Sequence, residues 1–83
     1  MNQHNQIRKA WAAVREAQKW VESAQSDPNN YMESQNHLLI AEEQVTNAYQ
    51  QSTLQTEKDL HQLTKATDLL EFLQETQQSI NQK

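Results

Sequence analysis

The chain has no glycine, no cysteine and a single proline in 83 residues. Without glycine there is no Gly-rich loop to cradle a phosphate. Every bend must instead be made with Asp, Asn or Ser, whose side chains hydrogen-bond the local backbone. Without cysteine neither a disulfide framework nor a thiolate zinc site can form. A domain of this size then rests on apolar packing or on self-association. Long apolar runs are also missing. The longest are "AWAAV" at residues 10–14 and "LLIA" at 38–41, too short for a membrane span or the apolar stretch of a signal peptide. The expected location is the cytoplasm, with no membrane partner.

Positive charge is scarce as well: seven Lys and Arg face eleven Asp and Glu, for a net charge of -4. Affinity for phosphate backbones comes chiefly from clustered cations, so a nucleic-acid partner is not expected. The charge is unevenly placed. Residues 1–25 carry Arg8, Lys9, Arg15 and Lys19 against Glu16 and Glu22, whereas residues 26–83 carry three Lys against nine acids.

What is present is helical periodicity, which argues against a disordered polar tract despite the abundant glutamine and a 35% apolar content. Ile7, Val14 and Val21 fall seven apart and interleave with Ala10, Ala17 and Ala24, an a/d heptad pattern with one buried seam. Tyr31, Leu38 and Val45 repeat the scheme with Ser34, Ala41 and Ala48 between them. Large residues on one row and small ones on the other let two backbones approach more closely than usual. The expected architecture is therefore all-α: an antiparallel helical hairpin with a small-residue seam. "SDPNN" at 26–30 is its turn, because Pro28 lacks a backbone donor and pushes Asp27 out of helical geometry. Either Asp27 caps a helix with Pro28 in its first turn, or Asn30 caps it with Glu33 in capping-box spacing.

A third helix is needed to bury Leu60, Leu63, Ala66, Leu70, Leu73 and Ile80, with Leu69 widening the face. Ser52 or Thr53 can cap it, Ser52 and Gln55 standing in capping-box spacing. The spacing predicts helices over about 3–25, 30–50 and 55–80 in one domain, a three-helix bundle. A continuous helix from 30 to 80 is the rival, and it would need a dimer to cover its apolar stripe.

Several large side chains fall off the seams. Trp11 and Trp20 flank the first seam on opposite sides, and Met32, Leu39, Ile40, Leu54 and Phe72 stand away from their own stripes. Most of these are expected to cover grooves between helices. The sharper alternative is a partner surface made of Trp20, Ile40, Phe72 and the basic row Arg8, Arg15 and Lys19. That row faces away from the alanine seam, and Asp68, Glu71 and Glu75 form an acidic row on the third helix. The partner expected for such a surface is a protein, with a homodimer as one form of it.

Chemistry has little to stand on. Nucleophilic catalysis lacks a Cys or a Gly-framed Ser, and Glu42 and Glu43 diverge by about 100° on a helix, so they cannot act as a dyad. No catalytic or cofactor-binding residue is expected, and no cofactor. Glu33 with His37 and Glu57 with His61 have the i, i+4 spacing of metal ligands. Neither pair brings the further carboxylate and His of a bundle metal centre, so a metal- or small-ligand-binding bundle is the alternative function rather than the favoured one. A DNA-reading helix-turn-helix would need a basic second helix, yet 31–50 carries Glu33, Glu42 and Glu43 with no Lys or Arg.

The run "LLIAEEQVTNAYQQ" at 38–51, with the order helix, Asn-rich break, helix, polar break, helix, resembles the small YtzC-like helical proteins of spore-forming Gram-positive bacteria. Those are of unknown function. The resemblance implies a bacterial, cytosolic helical protein and transfers no site residue. The favoured expectation is a non-catalytic protein-protein interaction or regulatory module.

Overall fold

The first helix, α1 (Gln3–Ser26), stops one residue short of Asp27, the residue that precedes the proline. In the computed structural model, which describes residues 3–50 and 57–81, Asp27 alone is extended, with φ -137° and ψ 101°. Its Oδ1 accepts from the Asn29 amide at 3.0 Å, and Pro28 opens a 3-10 turn over Pro28–Asn30 that runs directly into α2 (Tyr31–Gln50). Of the two capping schemes, the chain uses Asp27. Asn30 turns back instead, its Nδ2 donating to Ser23 Oγ at 2.6 Å. Among the described residues no backbone has a positive φ, which is how a chain without glycine makes this turn without strain.

The turn sets α1 and α2 antiparallel, and their seams meet as the spacing predicts. Ala10, Ala17, Ala24, Ser34 and Ala41 are each 0% exposed. Ile7, Val14, Val21, Leu38 and Val45 fill the spaces between them as one apolar cluster. Full burial of each Val or Leu contributes about 1.5–3 kcal/mol. The small residues contribute less area and act by letting the helices close up. Accordingly, α1 packs on α2 more extensively than either packs on the third helix.

That third helix, α3 (Glu57–Asn81), lies against both others, so the three-helix bundle holds and the continuous 30–80 helix does not. It runs parallel to α1 and antiparallel to α2, since Trp11 reaches Gln62 while Ser34, at the start of α2, reaches Gln77, near the end of α3. The expected caps Ser52, Thr53 and Gln55, the expected start at 55, and Leu54 lie outside the described residues.

The α3 seam departs from the expected face. Leu63, Ala66, Leu70 and Leu73 are buried, and Leu69 and Ile80 pack partly buried against them. Leu60, however, is 48% exposed. The alternating spacing of four and three that runs through 63, 66, 70 and 73 extends to 59 and 77, and those positions hold Asp59 and Gln77, both buried. Leu60 stands one residue, about 100°, further round.

Gln77 is accommodated by a polar cluster with α2. Its Nε2 donates to the Tyr31 carbonyl and to Gln35 Oε1, each at 3.3 Å. The Ser34 hydroxyl lies 2.8 Å from Gln77 Oε1 and 2.7 Å from the Tyr31 carbonyl. Its single proton serves one acceptor at a time. Among the described residues no buried side-chain N or O is left without a partner.

Candidate interaction surface

Close helix packing decides where the off-seam residues go. Trp11 and Trp20 do fill grooves, on opposite sides of α1 as expected. The Trp11 indole Nε1 donates to the Gln62 carbonyl of α3 at 3.2 Å, and the Arg15 guanidinium carbon stands 5.5 Å from the ring centroid, within cation-π range. Trp20 stacks on His37 of α2, ring centroids 5.3 Å apart and planes 7° from parallel. A shallow surface groove formed with Glu16, Lys19 and Ser23 lies beside it.

The remaining large residues stay mostly in solvent, although Leu39 edges a groove between α2 and α3. Met32 is 68% exposed, Leu39 55%, Ile40 47% and Phe72 62%. The expectation that most off-seam residues would seal the bundle is therefore corrected. With Ala and Ser bringing the helices together, side chains more than a quarter-turn from a seam have no groove deep enough to enter. Of the six candidate surface residues, Arg8, Arg15, Lys19 and Trp20 are on α1, Ile40 on α2 and Phe72 on α3. Trp20 and Lys19 share the groove on the α2 side of α1, while Arg15 is tied to Trp11 on the α3 side.

Arg8, Arg15 and Lys19 are all exposed, as are Asp68, Glu71 and Glu75. Lys19 Nζ lies 4.0 Å from Glu16 Oε1, a surface pair of little energetic weight. Lys58 and Lys65, which sequence reasoning did not single out, are exposed on α3. Their mark in the sequence is a seven-residue interval, like that of Arg8 and Arg15, and it gains meaning only once the relative register of the helices is known. Ser34 and Gln77 were also missed as a polar pair, because Ser34 read as one more small seam residue.

The metal-ligand spacings gain no third ligand. His37 Nε2 lies 3.8 Å from Glu33 Oε1, with its ring engaged by Trp20. Glu57 and His61 are both exposed. Among the described residues, no group of three His, Cys, Asp or Glu is placed to hold a metal ion, and no helix is long and apolar enough to cross a membrane.

The fold and this surface define an all-α, antiparallel three-helix bundle with small residues inside and several large ones outside. Compared with protein-family models, curated proteins and solved structures, the chain matches none.

Proposed function

We propose that this chain is a small, cytosolic, non-catalytic module that binds another protein through large apolar side chains held on the outside of the bundle. The observation that carries the reading is the contrast between seam and surface. Seven seam positions are Ala or Ser and buried, while Met32, Leu39, Ile40 and Phe72 stand 47–68% exposed. Large apolar groups in water cost free energy that burial against a partner would recover. The absence of cysteine accords with a reducing compartment.

The test is capture from the native cell with the wild-type chain beside an Ile40→Ser/Phe72→Ser variant, followed by mass spectrometry. Both positions are exposed, so the variant should melt as the wild type does. A protein retained by the wild type and released by the variant is the expected result. Identical captures by the two chains would remove the basis for the reading. Light scattering on the same samples separates a homodimer from a partner of different sequence.

A further inference from the structure

We infer that the face shared by α1 and α3 docks an acidic polypeptide segment of another protein. The inference rests on the protein-binding reading above and names the chemistry of the partner. The bond from Trp11 Nε1 to the Gln62 carbonyl sets the turn around Trp11 beside the turn around Gln62. On α1, Arg8 and Arg15 stand three residues before and four after Trp11. On α3, Lys58 and Lys65 stand four before and three after Gln62. Residues three and four apart share a helix face, so this register brings the two pairs of cations to the adjoining faces of α1 and α3, one turn to either side of the Trp11 contact. All four are exposed, and Arg15 is held over the ring.

None of the four cations is held in an ion pair with a described residue. Among the described residues the two ion pairs are Lys19 with Glu16 and His37 with Glu33, and neither involves the four. Asp59, next to Lys58, is turned into the seam. A net charge of -4 therefore coexists with a local cluster of like positive charge, which is unfavourable for the free chain and favourable once a carboxylate-bearing partner arrives. Arg forks match carboxylate geometry in two-point contacts.

The cluster also has an apolar end. Phe72 follows Lys65 by seven residues and so lies on the same row, about 10 Å further along at ~1.5 Å per residue, and it is 62% exposed. An occupant with acidic residues and, about three residues of extended chain or two turns of helix away, one large apolar residue engages both. A long polyanion fits less well, because beyond the cluster it meets the exposed Asp68, Glu71 and Glu75 of α3. A second copy fits poorly too, since a two-fold pairing through this face lays cations against cations, Arg on Arg or Arg on Lys.

The probe is a short fluorescein-labelled peptide of Glu and Ser with one Leu, measured by anisotropy against the full chain. Beside it run the same peptide with Gln for Glu, a single-stranded oligonucleotide, and phosphatidylserine vesicles. The acidic peptide should bind and weaken as salt shortens the screening length. An Arg15→Gln/Lys65→Gln variant should bind it on the order of tenfold less tightly or worse. Lys9→Gln, which alters an exposed cation off the Arg8–Arg15 row, should bind as the wild type does, and matching thermal melts show that all three chains are folded. Equal binding of the Gln peptide, unchanged binding by the double variant, or no binding of the acidic peptide overturns the inference but leaves the protein-binding reading to its own capture test. Tighter binding of the oligonucleotide or the vesicles likewise overturns the inference, with the capture test still deciding the protein-binding reading.

Discussion

The α1–α2 hairpin and the seat of α3 are held by different means. Along the hairpin, Ala or Ser alternates with Ile, Val, Tyr or Leu, and among the described residues no side-chain hydrogen bond joins the two seams. The stack of Trp20 on His37 and the bond from Asn30 in the turn to Ser23 tie their edges. Among the described residues, every side-chain hydrogen bond between two of the three helices has one end on α3: Trp11 to Gln62, Ser34, Gln35 and Tyr31 to Gln77, and Tyr49 to Thr67. Apolar packing is non-directional, whereas hydrogen bonds fix geometry. The closer interface therefore relies on shape and on the Asp27 turn, and the less extensive one relies on three polar contacts spread along its length.

The comparison can be broken most severely at Leu63, the largest side chain in the core with no exposure. Leu63→Ala should destabilise by about 2–5 kcal/mol through lost burial and a residual cavity, read from urea denaturation midpoints at constant slope. A loss under ~1 kcal/mol would mean that α3 adds little to the fold. Overpacking tests the other interface. Ala17→Leu and Ala41→Leu should each cost about 1–3 kcal/mol if the close seam is real, and neutral effects at both sites refute it.

At the polar contact the single and double changes should diverge. Ser34→Ala removes a buried partner of Gln77 Oε1 and should cost about 1–2 kcal/mol. Ser34→Ala/Gln77→Leu, which replaces both partners with apolar groups, should recover much of that loss. If the polar pair specifies how α3 is aligned, the double variant keeps its melting point but loses dispersion in its amide spectra. Sharp spectra would assign the alignment to the Leu positions alone.

How far the fold can be read from sequence follows the same division. The hairpin is legible because large and small residues recur at intervals of seven in both helices and a proline marks the join. The α3 seam is half legible, since hydrophobicity points to Leu60 whereas helical spacing, continued past Leu63 and Leu73, points to Asp59 and Gln77. A polar residue on a seam is invisible to an apolar pattern until its partner is known. The surface is the least legible part. That Met32 and Phe72 stay outside depends on how closely the alanines draw the helices. Gathering Arg8, Arg15, Lys58 and Lys65 depends on the register between two helices that the sequence separates by a whole hairpin.

The smallest expected effect concerns the turn that aligns the hairpin. Asp27 is exposed, and its carboxylate satisfies one amide, that of Asn29, at the start of a short 3-10 turn. Asp27→Ala should therefore cost about 0.5–1 kcal/mol, the lower part of the range for a lost N-cap. Asp27→Asn, which keeps an acceptor, should cost a few tenths at most. Asn30→Ala removes a side-chain bond to Ser23 rather than a cap and leaves the Glu33 end of α2 untouched. If Asn30 were the cap, with Glu33 completing a capping box, Glu33→Ala would be as costly as Asp27→Ala. Because Asp27 is the sole extended residue between α1 and the 3-10 turn, a loss at Asp27 well above ~1 kcal/mol would show that the turn, more than the alanine seam, sets how α1 and α2 meet.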